Sequence, residues 1–281
     1  MEDIFRKLNL QERGINIDGE KLTDLRFTDD VAMVTTSVKD MEVQLNDLNK
    51  GSKKIGLNIH KGKTKYMTNH QSEDSIVVEG DIIEKVDGYK YLGQTVKMEA
   101  NTREEVLIRI KARWSCFGRF KDILCDKKLP MHPRRRMFNQ CVLPTMTYGA
   151  ETWTTTKYLE QKLQTAQRAM ERKMLHVTLR DKIKNTEIRR QTQVKDIMVK
   201  LKEAKWRWAG HLARRKDKRW TKRLTEWQPR TGKRSNGTQK RRWRDDIIPY
   251  MGPTWTRNAR VRKKWQNHEE CYVQLWSNTA G

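Results

Sequence analysis

Phe27, Thr28, Asp29 and Asp30 set two adjacent carboxylates between Leu25 on one side and Val31, Ala32, Met33 and Val34 on the other. This order predicts a strand, a tight turn and a second strand. Carboxylates presented from the middle of an apolar hairpin carry a desolvation cost unless they are solvated, paired or bound to a metal ion. Adjacent Asp residues also occur in ordinary solvated loops, so the surrounding sequence decides between the readings. Here it supplies an apolar run on each side, a helical period after the second run and a strongly basic sequence downstream.

The elements around the pair read as α+β. Ile15 and Ile17, then Asp18 and Gly19, then Leu22 and Leu25 predict a hairpin about an Asp-Gly turn. Ser37 with Asp40 resembles a helix N-cap, and Val38, Met41, Leu45 and Leu48 recur at helical spacing until Gly56. Residues 76–86 predict another hairpin, and Tyr89, Tyr91 and Leu92 a short strand. From Asn101 the period is helical. Leu107, Ile110, Trp114 and Phe117 mark one helix, Met137 and Cys141 a second that Pro144 is expected to end, and Leu159 to Met174 a third. A fourth places Val194, Ile197, Leu201, Ala204 and Trp208 on one face, with Lys195, Lys200, Lys202, Lys205 and Arg207 on others. Short helices are expected near Trp243 and Trp265.

The distribution of charge says more than its total. The formal net charge is +25, but residues 1–100 contribute −3 and residues 101–281 contribute +28. Such an excess favours a polyanionic partner. The four cysteines, Cys116, Cys125, Cys141 and Cys271, are too few and too dispersed for a disulfide framework. They form no Cys-x-x-Cys pair, and His268 with Cys271 supplies at most two zinc ligands. With no apolar stretch of membrane-spanning length, the expectation is a soluble intracellular protein, nuclear or cytoplasmic, with no membrane partner.

An apolar hairpin carrying two carboxylates, then a helix, then a basic half, fits a polymerase palm. In two-metal catalysis Asp29 would bind the magnesium that carries the incoming triphosphate, with Asp30 a weaker or indirect ligand. The chain resembles the C-terminal part of the polyprotein of non-LTR retrotransposons, closest to the RTE group that joins an endonuclease to a reverse transcriptase. The hairpin matches the Phe-x-Asp-Asp box, Thr28 standing where Ala is more usual. Gly56 and Leu57 followed by Lys63 and Thr64, and Tyr89 to Gly93 (YKYLG), resemble later palm motifs and the primer grip. Tyr148 to Trp153 (YGAETW), Met170 to Leu175 (MERKML), Trp206 to Arg214 (WRWAGHLAR) and Arg242 to Asp246 (RWRDD) resemble the thumb and C-terminal region.

The resemblance implies roles residue by residue. Lys63 would protonate departing pyrophosphate, or is a solvated charge beside Lys61 and Lys65. Tyr91, Leu92 and Gly93 would form the primer grip, or Gly93 closes a turn. The first catalytic Asp, the fingers and the endonuclease of the family would precede Met1. Asp3 and Asp18 are poor substitutes, so the magnesium site is expected to be incomplete and polymerase activity negligible without the missing N-terminal half in trans.

Downstream, Lys195 to Arg223 holds twelve Lys or Arg with Trp206, Trp208 and Trp220, the mixture that neutralises phosphates and stacks on bases. Trp208 is assigned to the core. Trp206, about 160° away at 100° per residue, is the stacking candidate, and Arg207, Arg214 and Arg215 the phosphate ligands, or the run is a solvated basic helix with no ligand. His211 is read as packing, and Asp245 with Asp246 as a helix's polar face. The expected organisation is a partial palm at 1–100, a helical thumb-like region at 101–180, a basic helical region at 181–225, a linker at 226–240 and Trp-rich helices at 241–281. The expected function is a truncated RNA-directed DNA polymerase retaining binding to RNA template and DNA primer or target. The alternatives are a non-enzymatic RNA- or DNA-binding protein derived from such an element, or a translated fragment with no selected role.

Overall fold

The computed structural model describes residues 2–8, 13–69, 74–98, 102–217, 219–227 and 242–277. The expected linker lies outside the described residues from 228 onward. The chain divides into two compact units, Met1–Ala100 with Lys218–Gly232, and Asn101–Asp217 with Lys233–Gly281.

The first unit contains α1 (Glu2–Lys7), β1 (Ile15–Ile17), β2 (Glu20–Leu22), β3 (Asp24–Phe27), β4 (Asp30–Met33), α2 (Val38–Lys53), β5 (Lys65–Tyr66), β6 (Ile76–Val78), β7 (Asp81–Lys85), β8 (Gly88–Tyr91) and β9 (Gln94–Lys97). Among the described residues its strands form four small sheets, β1-β2, β3-β4, β5-β7-β6 and β8-β9. Three hairpins turn on Asp18-Gly19, Glu79-Gly80 and Leu92-Gly93, with φ positive at both residues of each turn, the geometry that matches strand twist in two-residue loops. The Ser37 hydroxyl caps α2 by accepting from the Asp40 N–H at 3.0 Å. Helix α2 then completes the open edge of β6: Asn46 Nδ2 donates to the Val77 carbonyl at 2.8 Å, and Glu42 Oε1 accepts from the Val77 N–H at 2.9 Å. Leu45, Ile76, Val78 and Ile83 fill the space beneath, and Ile4, Phe5 and Leu48 make a second small cluster against which Val31 and Met33 pack.

The second unit is helical: α3 (Thr102–Arg119), α4 (Lys121–Leu124), α5 (Met131–Met137), α6 (Leu143–Thr147), α7 (Lys157–Leu175), α8 (Asn185–Thr192) and α9 (Ile197–Arg214), then α11 (Ile248–Met251), α12 (Trp255–Ala259), α13 (Arg262–Asn267) and α14 (Glu269–Ser277) after α10 (Trp220–Glu226) of the first unit. The ion pair between Arg223 and Glu20 ties α10 to that first unit. Pro144 does not end the second expected helix. A π-turn at Phe138–Val142 shifts the hydrogen-bond register just before it, and α6 continues through the proline. The Thr145 hydroxyl donates to the Cys141 carbonyl at 2.9 Å, satisfying a group within the altered register.

Helix α9 joins the unit's two cores. Ile197, Met198 and Leu201 enter the cluster built on α3, α5, α6 and α7, while Trp206, Ala209 and Ala213 enter an aromatic cluster with Trp255, Trp265 and Tyr272. The indoles of Trp206 and Trp265 stack at 3.7 Å between centroids and 5° between planes. Each indole N–H donates to the other residue's carbonyl, at 3.0 and 2.9 Å. Two lysines on the same helix are buried with them. Lys205 Nζ lies 2.5 Å from Asp246 and 3.2 Å from the Trp153 carbonyl, and Lys202 lies 3.3 Å from Glu160 and 3.8 Å from Asp246. Asp246 is therefore a buried counter-ion and not part of a polar helix face. Asp245 accepts from the Arg242 N–H at 2.7 Å and caps the same turn.

Gly210 lets this packing close. A Cβ there would stand 2.5 Å from the Trp265 ring, whereas one on Gly118 in α3 would meet nothing within 4 Å. Gly210→Ala is expected to destabilise the protein by about 1–3 kcal/mol through overpacking, and Gly118→Ala to stabilise it by about 0.5–1 kcal/mol. Thermal or denaturant melting of the two variants distinguishes them by sign.

Candidate functional site

Strands β3 and β4 pair in antiparallel register, Asp24 with Met33 through to Phe27 with Asp30, leaving Thr28 and Asp29 as a two-residue turn. This turn departs from the unit's other hairpins. It has no glycine, and Thr28, a β-branched residue, adopts φ 53°. Backbone strain of that kind costs roughly 1–3 kcal/mol and collects at functional sites. The Thr28 hydroxyl lies 2.7 Å from the Phe27 carbonyl and 2.8 Å from Asp29 Oδ1. Both carboxylates are exposed at the tip, so solvent meets the charge cost that the apolar flanks impose.

The β3-β4 hairpin is a meeting point of three segments far apart in sequence. Hydrogen bonding from Thr28, then from the backbone N–H of Asp29 itself, holds the Asp29 carboxyl below the ordinary Asp value, and the Lys63 charge lowers it further. Of the three neighbouring lysines, Lys61 pairs with Asp81 at 2.5 Å and Lys65 pairs with Glu84. Lys63 is the one whose charge acts on Asp29. The β8-β9 hairpin closes the third side. Tyr89 donates to the Lys63 carbonyl at 3.2 Å and Tyr91 to the Leu25 carbonyl at 3.4 Å. Burial and then the Asp30 charge push the Tyr91 hydroxyl above its ordinary value. Leu92 and Gly93 make the turn of this hairpin, at φ 48° and 77°. Their left-handed conformation accounts for Gly93 by turn geometry alone.

Asp29, Asp30, Lys63 and Tyr91 are thus brought into one neighbourhood, with Leu92 and Gly93 on the adjoining turn. Tyr89, which opens the YKYLG motif, ties the lysine loop to β8, a contact that the motif did not indicate, and the strain at Thr28 was not indicated either. The alternation of Tyr89 and Tyr91 along one strand was the available signal for the first. Magnesium accepts one or two carboxylates together with phosphate oxygens and water, which an exposed Asp pair can supply. A two-ion centre draws carboxylates from more than one strand. Among the described residues no third His, Cys, Asp or Glu side chain joins the pair, and Asp18 lies in its own turn between β1 and β2. The acids present do not by themselves make a two-ion centre.

The downstream nucleic-acid residues require correction. Trp206 is fully buried in the aromatic core and cannot stack on a base, while Trp208 is the half-exposed indole and lies against His211 at 5.5 Å. The assignment reversed because the buried face of α9 includes Lys202 and Lys205, whose charges are neutralised by acids outside the helix. Arg207 is committed to Glu269 at 2.7 Å, with Glu203 at 3.8 Å, and these acids raise its pKa. Arg214 donates to the Ala259 carbonyl at 3.0 Å, and burial followed by the Arg262 charge lowers its pKa. Arg215 lies 3.9 Å from Asp217. These side chains hold helices and turns together.

Compared with known proteins, the chain is 33% identical over 272 residues to an uncharacterized transposon-derived protein of Caenorhabditis elegans, spanning 89% of this chain and 96% of that one. No family model and no solved structure matches it.

The Thr28 contact is directly testable. The Asp29 carboxyl is expected to titrate below the ordinary Asp range in a side-chain NMR titration, and Thr28→Val, which keeps the shape and removes the hydroxyl, to move its midpoint upward. An unchanged midpoint in the variant would exclude the hydroxyl as the main cause.

Proposed function

The chain belongs to a family of transposon-derived proteins, and from that premise we propose that it is reverse transcriptase in origin. In this reading it comprises the second part of the palm, the thumb and the basic C-terminal region of a non-LTR retrotransposon polymerase. Its working activity is to hold a primer end on a template at the β3-β4 hairpin. The observation that carries the reading is the convergence of Asp29 and Asp30, Lys63 and the Tyr91 hairpin, three segments to which the resemblance gives roles in one polymerase site.

The chemistry suits such a site. Exposed carboxylates at a rigid tip can meet the cations that accompany phosphates, and a lysine beside them presents a proton donor and a positive charge to a leaving phosphate oxygen. Gly93, beside the exposed Leu92, offers backbone with no side chain for close approach to a sugar–phosphate end. In-line phosphoryl transfer with two ions needs acids from a second strand, so this reading assigns the chain binding and positioning and leaves the chemical step to a complete palm.

Primer extension on an RNA template tests this. The full chain with magnesium and deoxynucleotides is expected to bind a recessed RNA–DNA duplex and yield no cDNA. Supplying the fingers and first palm segment of an RTE-type reverse transcriptase in trans is expected to restore extension, and Asp29→Ala to reduce it by more than about a hundredfold. Extension by the chain alone that survives Asp29→Ala and Asp30→Ala would overturn the assignment.

A further inference from the structure

We infer that the helical unit binds a nucleic-acid duplex through a face built from the α4-α5 junction and the loop between α7 and α8, with Leu179 as its apolar contact. The inference rests on the nucleic-acid reading above and relocates its interface away from α9. Two stretches form the face. Residues 119–136 hold seven basic and two acidic side chains, and residues 172–190 hold the same numbers. Buried Arg134 joins them: its Nε donates to the Leu124 carbonyl at 2.8 Å, and its Nη2 donates to the Met174 carbonyl. Arg135 on the next position bonds Gln193 beyond α8. The sequence stretches are therefore neighbours in space.

Arg189 and Arg190 of the second stretch are paired with carboxylates, but six other cations are not. Lys127, Lys128, Arg136, Arg180, Lys182 and Lys184 are exposed, and no carboxylate pairs with any of them among the described residues. Of the four acids in the two stretches, Asp122 is exposed on α4 and the other three are engaged. Asp126 accepts from the Lys128 N–H at 2.8 Å, Glu187 is taken up by Arg190, and Asp181 accepts from both the N–H and hydroxyl of Thr178, at 2.6 and 3.0 Å. The Thr178–Asp181 bonds hold its carboxyl below the ordinary Asp range. They also fix the loop, which closes with the Lys182 N–H donating to the Leu179 carbonyl at 3.3 Å.

That fixed turn presents Leu179 at 79% exposure between Thr178 and Arg180. A leucine held out into solvent among cations forgoes burial, which a partner surface restores. Its chemistry suits the apolar contacts that proteins make with sugars or insert between base steps, flanked by cations on phosphates. A lipid surface suits it less well, since one leucine is far from the apolar helix face that interfacial binding uses.

Fluorescence anisotropy of the full chain with labelled DNA duplex and RNA–DNA duplex, over a salt series, tests the face. The triple variant Lys127→Ala, Lys128→Ala, Lys182→Ala is expected to flatten the slope of log affinity against log salt by about 0.9 for each phosphate contact removed. Leu179→Ala is expected to weaken binding about tenfold and leave the slope unchanged. All four positions are exposed, so melting curves should match the parent. Parental affinity and slope in both variants would overturn this face while leaving the proposed function standing. Absence of binding by the parent chain at low salt would overturn both. Preferential binding to phosphatidylserine vesicles, lost in the same variants, would assign the face to lipid and overturn the inference.

Discussion

Asp246 is the contact on which the helical unit turns. It sits at 1% exposure beside Lys205 and within reach of Lys202, and with Glu160 it allows a helix carrying two lysines on its inward face to be buried at all. Leaving a buried ammonium without its counter-ion costs about 3–5 kcal/mol, a large share of a typical domain's stability. The lysines fix the rotation of α9, and that rotation sends Trp206 inward onto Trp265. Gly210 permits the ring to close against the helix backbone, and Trp243, whose indole N–H donates to the Glu151 carbonyl at 2.7 Å, covers Lys205.

The first unit follows a different economy. Its strands are short and grouped in four separate sheets, so local turn chemistry and not a large core sets their geometry. Three turns place Asp18, Glu79 or Leu92 first and glycine second, with φ positive at both. The fourth places β-branched Thr28 first, at φ 53°, and Asp29 where the others have glycine, accepting strain at a hairpin whose two exposed acids lie near Lys63 and Tyr91. A local rule broken at a site where charges from three segments converge is where function is expected to override stability.

Much of this local order was legible in sequence. Asp18-Gly19 announced its hairpin, Ser37 with Asp40 announced the start of α2, and the Asp29-Asp30 pair announced its turn. Period alone misjudged α9, because burial of Lys202 and Lys205 depends on acids 42 and 41 positions away in the chain. Arg207 and Arg214 likewise have partners far away in the chain, Glu269 and the Ala259 carbonyl. Pro144 misled for a local reason, the π-turn that absorbs it. The α7-α8 loop escaped notice because Leu179 has no periodic partner; its meaning appears only once its exposure and the fixed turn beneath it are known.

In the function proposed above, the carboxylate hairpin and the Tyr91 hairpin form one primer-end site. Photocrosslinking from a primer whose terminal 3′ nucleotide carries the reactive group, annealed to an RNA template, tests this most directly. Adducts mapped by mass spectrometry are predicted in 25–33 and 88–97, with competition by unlabelled recessed duplex. Adducts confined to the helical unit would contradict the account, because the primer end would then lie away from Asp29 and Asp30.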